Sequence, residues 1–422
     1  MVRRFSHHPY EGGSGMKFKG FGLLAIMAVA VFLMGAIVQA ADQKPWRIGV
    51  AVSLTGIFGK DGNLVKDAYT LWKDTVNAKG GINGHPVELI FYDDKSDSAT
   101  SAKLVEQLIV SDKVDLILGG FGSDAVFAGS AVAEKYQYPM ISGGASSNKL
   151  FERGFKYYFS TLGKATEEVR GCVDLVKALD PKPKTAAIVG ADILFTSLAC
   201  EGYKKYCAEN GIEVVHFELF PMSLQDYNSL LMKVKNKNPD MLLVGSHLLV
   251  AMRTIKALKE IDFSPKLVAF SYGPTVPKFV EDLKGDAEYV VAASEWTHNM
   301  PYKGSVFGTA QDFYNAYMAK FNRAPDYVEA AAAGGAVAQQ LALTDLGFKP
   351  PLKKEQRVAL MEKLHSTTFD TFYGKIQFDK DGANVAHPPV AVQIQNGKLM
   401  NVFPLEYAEA KIWYPFKPWK DR

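Results

Sequence analysis

Cysteine is nearly absent, three residues in a chain of 422, which excludes a scaffold stapled by disulfides. Cys200 and Cys207 stand two turns apart if they share a helix, beyond bridging distance. Histidine is scattered: His85, His216, His247, His298, His365 and His387 follow no metal-ligand spacing, so no metal site is expected. No segment ends in the Gly-Lys-Ser/Thr of a phosphate loop, Gly119 to Gly122 has the wrong spacing for a dinucleotide fingerprint, and no serine sits in Gly-x-Ser-x-Gly. No cofactor is therefore expected. An excess of one charge is also missing. Arg3, Arg4, Lys17 and Lys19 against Glu11 account for the whole net charge of +3. The neutral remainder offers no footprint for nucleic acid.

What is present begins with an address. Lys17 and Lys19 precede an unbroken apolar run from Phe21 to Val38, followed by Val38-Gln39-Ala40 and Ala41. This is the pattern of a secretory signal peptide cut after Ala40, with Met16 as a second candidate start. No cysteine lies near the cut to take a lipid. The mature chain is expected to be exported and soluble.

Beyond Pro45 the apolar period switches repeatedly between 2 and 3.6. Strands are expected at Ile48 to Val52, Val87 to Tyr92, Val114 to Leu118, Pro139 to Ser142, Thr185 to Gly190, Ile212 to Leu219, Asp240 to Val244 and Lys266 to Phe270. Helices are expected between them, among them Ala165 to Leu179, Thr196 to Asn210 and Leu249 to Ile261. Strands separated by helices imply right-handed crossovers and parallel sheets covered on both faces. Two sheets, and so two lobes, house this many strands more comfortably than one. After Val291 come helices at Phe307 to Phe321, Tyr327 to Leu346 and Lys354 to His365, then a strand-rich tail from Phe372 to Phe403 that must join sheets already built. Trp296 to Ser305 reads as an excursion over a cleft.

In such α/β folds ligands sit beyond the carboxyl ends of strands, at helix N-termini. Two loops there, Gly119-Gly120-Phe121-Gly122-Ser123 and Gly143-Gly144-Ala145-Ser146-Ser147, share a chemistry of backbone and hydroxyl donors suited to a small anion, most simply a carboxylate. Asp93-Asp94 is read as a turn and cap before a helix rather than an acid pair.

The runs IGVAVSLTGIFGKDG (48–62), NAKGGINGHPVELIFYDDKSD (77–97), LILGGFGSDA (116–125) and PMISGGASSNKL (139–150) resemble the periplasmic leucine/isoleucine/valine-binding proteins, the solute receptors of branched-chain amino acid ABC importers. The resemblance covers roughly residues 46 to 403. It implies a type I binding-protein fold: two α/β lobes, each a mainly parallel sheet flanked by helices, joined by three crossovers. By position, Ser123, Gly144 and Ser146 match first-lobe residues that hold the ligand, with Gly122 beside them, and Phe195 matches a second-lobe aromatic contact. Where relatives carry a tyrosine and an acid, this chain offers His247 or Leu248, and Tyr272. Losing that acid would leave an ammonium unpaired. Aromatic surfaces at Phe58, Phe195, Tyr272, Trp296 and Tyr327 then suit an aromatic or aliphatic carboxylate, unless Glu295 or Asp192 supplies the charge.

The resemblance implies no enzyme, a small-molecule solute and ABC permease subunits as partners, and a monomer. The expected division is a signal peptide at 1–40, lobe 1 at 45–163 plus 293–386, lobe 2 at 164–292 plus 387–410 and a tail at 411–422, with hinges near 163, 292 and 387. A ligand-sensing receptor of the same fold is the alternative. An enzyme is the less favoured one, because no acid and base are paired in the cleft.

Overall fold

The structure, a computed structural model, describes residues 43–422; the expected leader and its cleavage site lie outside the described residues. Pro45–Arg422 forms a compact unit built on two large sheets. β1 (Trp46–Val52) opens the first. It is apolar at almost every position and buried along nearly its whole length, as a strand covered on both faces must be. The sheet is completed by β2 (Val87–Asp93), β3 (Leu116–Leu118), β4 (Met140–Ser142) and β5 (Tyr158–Ser160), in the order β2-β1-β3-β4-β5 and parallel throughout. Between them run α1 (Gly59–Ala78), α2 (Ser98–Val110) and α3 (Ser123–Tyr136). The cap expected of Asp93-Asp94 falls to Asp97, whose side chain accepts the Thr100 N–H at the start of α2, while Asp93 and Asp94 make the turn by accepting the N–H groups of Lys95 and Ser96.

The chain then leaves the first sheet. The single helix expected over Ala165 to Leu179 is broken into α4 (Ala165–Glu168), α5 (Arg170–Asp174) and a 3-10 turn at Leu175–Ala178. Gly171, a weak helix former, sits inside the segment and presses against the backbone of Pro389 to Ala391. The second sheet has the order β16-β15-β10-β9-β8-β6-β7. Its parallel part is β6 (Thr185–Ala191), β7 (Glu213–Phe220), β8 (Met241–Gly245), β9 (Leu267–Phe270) and β10 (Val291–Ser294). The helices between them are α6 (Leu194–Glu209), α7 (Tyr227–Lys235), α8 (Leu248–Glu260) and α9 (Pro277–Leu283). The excursion after Trp296 carries a small pair, β11 (Lys303–Gly304) with β12 (Gly308–Thr309).

The chain now returns to the first sheet with α10 (Ala310–Phe321), α11 (Tyr327–Leu346) and α12 (Lys354–Ser366), then makes a hairpin of β13 (Thr368–Thr371) and β14 (Gly374–Gln377). It crosses a third time to add β15 (Val390–Gln395) and β16 (Lys398–Phe403), both antiparallel, to the second sheet. The strand-rich tail thus joins a sheet already built. Residues 411–422 are docked as well: the Trp413 N–H donates to Gln393 Oε1 (2.7 Å), the Phe416 N–H donates to the Lys266 carbonyl (2.8 Å), and the Arg422 guanidinium lies 3.8 Å from the Phe416 ring centre.

All three cysteines are buried free thiols, and burial pushes each up to about 12, which keeps them protonated and unreactive. Among the described residues no helix is long and apolar enough to cross a membrane.

Helix α11 fixes the end of the first sheet where the site lies. Its run Glu329 to Ala338 is small and buried all round, as expected of a helix enclosed by protein. Small residues let it come close: a Cβ on Gly143 would stand 2.2 Å from the Ala332 nitrogen. Gly143→Ala should therefore force helix and strand apart and cost about 1–3 kcal/mol of stability. Thermal denaturation checks this, and an unchanged Tm would show that the contact yields freely.

Candidate functional site

The two Gly-rich loops after β3 and β4 are joined before any ligand is considered. The Gly122 N–H donates to the Gly144 carbonyl (2.9 Å), and a Cβ at Gly144 would stand 2.8 Å from the Gly120 carbonyl oxygen. Ser123, the first residue of α3, accepts the backbone N–H groups of Ser146 (3.3 Å) and Ser147 (3.1 Å) on its Oγ. Serine hydroxyls are thus held at the start of a 14-residue helix, where the dipole favours negative charge.

From the second sheet, the ends of β6, β8 and β9 bring Phe195, His247 and Tyr272 against these loops. Four rings surround His247: Phe58 at 4.9 Å, Phe195 at 5.3 Å, Phe121 at 5.7 Å and Tyr272 at 5.9 Å between centres. Burial lowers the imidazole to about 3, and its Nδ1 has no hydrogen-bond partner. His247 is accordingly a neutral aromatic wall at physiological pH, and no cation. Two polar contacts also span the sheets. The Tyr272 hydroxyl donates to Asp61 Oδ1 (3.2 Å), and the Leu194 N–H donates to the Asp124 carboxylate.

The cavity so enclosed is lined by Ser123, Gly144, Ser146, Phe195, His247, Tyr272 and Tyr327, all expected from the sequence. Three expected residues lie elsewhere. Phe58 backs His247 from outside the lining, and Gly122 caps α3. Trp296 is a structural wedge: its indole donates to the Phe372 carbonyl (3.1 Å), it packs on Phe313, and it faces a separate crevice of about 630 Å³ that Tyr327 also borders. The loop after Trp296 turned over that crevice and away from the serines, which is why the ring is absent from the site.

Phe121 and Ala145 of the two expected loops also line it, and the unforeseen lining residues are Leu162, Val328 and Glu168. Glu168 matters most, because the only acids expected as alternatives for the cleft were Glu295 and Asp192. It is 3% exposed, and its carboxyl is held well above the usual range by burial first and by the nearby Glu295 second. Of the two acids considered as alternatives, neither lines the cavity. Glu295 accepts the Gly163 N–H (2.9 Å) and the Tyr373 hydroxyl (2.7 Å), and Asp192 accepts from Ser197 Oγ (3.0 Å). The signal that would have found Glu168 is its place next to the first crossing, where the expected long helix hid the break after it.

The cavity is tight, about 20 Å³, which is room for roughly one water.

Two sheets of doubly wound type, joined by three crossings and closed on serine hydroxyls and rings, define a solute receptor. The chain belongs to the periplasmic binding protein family, whose profile matches residues 45–398. It is 23% identical to Leu/Ile/Val-binding protein homolog 7 of Brucella suis biovar 1, over 93% of this chain and 99% of that one. Homolog 8 of the same organism is 26% identical, over 92% and 97%. In structure it is similar to the branched-chain amino acid transporter binding protein LivJ of Streptococcus pneumoniae in complex with isoleucine, with TM-score 0.73, 23% identity and coverage of 88% and 100%. It is likewise similar to an ABC transporter solute-binding protein of R. palustris in complex with benzoate, with TM-score 0.74, 16% identity and coverage of 87% and 98%. The fold is the type I periplasmic binding protein fold.

Burial of Asp61 makes a prediction about pH. Its carboxyl is pushed up to about 7 by desolvation, which outweighs the lowering effect of the Tyr272 hydrogen bond. The unfolded chain loses this proton near 3.8, so between about 4 and 7 the folded state holds more protons and stability falls as pH rises. Glu295, also pushed up to about 7, acts in the same direction. Asp61→Asn should flatten the decline of Tm across this window, and identical slopes for variant and wild type would exclude Asp61 as a source.

Proposed function

We propose that the protein is the periplasmic receptor of an ABC importer and that it captures a small carboxylate-bearing apolar solute by closure of two lobes. The observation that carries this reading is the composition of the cavity wall: serine hydroxyls at the N-terminus of α3 come from the first sheet, and Phe195, His247 and Tyr272 come from the second. No single lobe offers both halves, so binding free energy favours the closed form. The lobes are 45–163 with 293–386, and 164–292 with 387–410, hinged near residues 163, 292 and 387. The leader directs export, the receptor works as a monomer, and the closed pair of lobes is what a membrane permease recognises.

Ser123 would hold the carboxylate. With two backbone N–H groups already pointing at its Oγ, its own proton is directed away from them and into the cavity. A hydrogen bond to a charged group is worth about 1.5–3 kcal/mol, so Ser123→Ala should weaken binding by about tenfold or more. Isoleucine and benzoate, the ligands named with two structural neighbours, both carry a carboxylate that such an anchor would suit.

The test is a thermal-shift panel of leucine, isoleucine, valine, benzoate and 4-methylpentanoate, followed by small-angle scattering with whichever stabilises most. At least one should raise Tm and reduce the radius of gyration. No stabilisation by any of them would overturn the receptor reading, and stabilisation at constant radius would overturn closure.

A further inference from the structure

The crevice of about 630 Å³ that Trp296 faces has the size of a pocket for a small organic molecule, and the capture of a solute at Ser123 makes no use of it. Both sheets contribute walls. From the side of the first come Tyr314 of α10 with Ala324 and Tyr327 at the start of α11; from the second come Val280 and Glu281 of α9 and Leu399 of β16. The second crossing supplies Trp296, Thr297 and His298. Thr275 and Asp326, which also line the crevice, are joined from one side to the other by the Thr275 hydroxyl (3.4 Å).

Two properties of the wall name a ligand class. The first is its aromatic surface. The His298 ring stacks on Tyr314 with centres 4.3 Å apart and planes 30° from parallel. Burial holds this imidazole below its ordinary range, so the pair is an uncharged π face. The second property is a surplus of acceptors. Among the charged side chains that line the crevice, Glu281, Asp326 and Glu409 stand against Lys398. Asp326 is held well above the usual carboxylate range, by burial first and by Glu329 second, so the negative charge lies with the exposed Glu281 and Glu409. Glu409 takes the Asn299 amide and the Asn401 N–H (3.2 Å), both neutral donors. Asn401 in turn donates to Thr297 Oγ1 (2.8 Å), is 1% exposed, and leaves its own Oδ1 without a partner. Rings beside carboxylates that no cation answers attract an organic ammonium and repel an anion.

We propose that this crevice is a second ligand site, separate from the solute cavity, for a protonated amine that carries an aromatic ring and no carboxylate. The ring meets the Tyr314 and His298 face, and the ammonium meets the acids of the rim. Such a ligand loses one wall when the sheets part, so its binding favours the arrangement in which Tyr272 reaches Asp61. The site does not depend on which solute the first cavity takes.

The test measures tryptamine binding to the full chain by calorimetry, with indole-3-acetate as the anionic counterpart. Wild type should bind tryptamine at least tenfold more tightly than indole-3-acetate. Ala324→Trp places an indole in the crevice from a half-buried position and should abolish tryptamine binding. Glu281→Lys reverses a charge at the exposed rim and should weaken it severalfold. Should Ala324→Trp fail to fold, Glu281→Lys decides in its place. No tryptamine binding by wild type, equal binding of indole-3-acetate, or wild-type tryptamine affinity in either folded variant overturns the second site. All of these outcomes leave the receptor reading standing, because its own panel contains no amine that lacks a carboxylate.

Discussion

Three segments of chain pass between the two sheets, and they meet at one buried acid. Glu295 accepts the Gly163 N–H from the first crossing on its Oε1, and its own carbonyl accepts the His387 Nδ1–H (3.0 Å) from the third. Tyr373 closes the arrangement, donating to Glu295 Oε2 and stacking on His387 at 4.2 Å. Burial holds the Glu295 carboxyl up at about 7 and the His387 imidazole down at about 4, so both are close to or in their neutral forms where the protein works. Internal hydrogen bonds, with no ion pair among them, hold the three crossings together at this point. The same economy governs the rest of the interface between the sheets.

Each other buried acid there is answered by a donor that belongs to the fold. Asp61 receives the Tyr272 hydroxyl from across the cleft. Asp326 accepts the N–H groups of Val328 and Glu329 at the start of α11. Glu329 pairs with Arg323, which reaches Asp67 of α1 as well (2.9 Å). Three of these bonds span the cleft: Tyr272 to Asp61, Leu194 to Asp124 and the Thr275 hydroxyl to Asp326 (3.4 Å). Glu168 differs in kind, since its second oxygen faces the cavity without an internal donor.

The parts of this arrangement that could be read from sequence are those with long, repeated signals. β1, β2, β6 and β7 are seven or eight residues each, and α11 was bounded at both ends by Tyr327 and Leu346. β5 has only three residues and, unlike β3 and β4, no longer apolar run around it, while α3 starts directly after Gly122 and α9 has only seven residues. The serines and Gly144 were legible because two loops carried the same chemistry and matched a family pattern. Glu168 was not, because its role comes from a break in a segment that reads as continuous helix, and a break made by packing against β15 leaves no mark on local periodicity. Trp296 failed in the opposite sense: an aromatic ring before a loop looks the same whether the loop covers the site or the crevice beside it.

The tightness of the cavity ties these observations to mechanism. With about 20 Å³ between the walls, the two sheets meet ring against ring, with Phe58, Phe121, Phe195 and Tyr272 packed around His247. A solute must replace those contacts with equally good ones before it gains anything from Ser123. Binding at Ser123 as proposed would therefore favour an apolar solute body, because a small polar anion would break the ring cluster and return nothing for it.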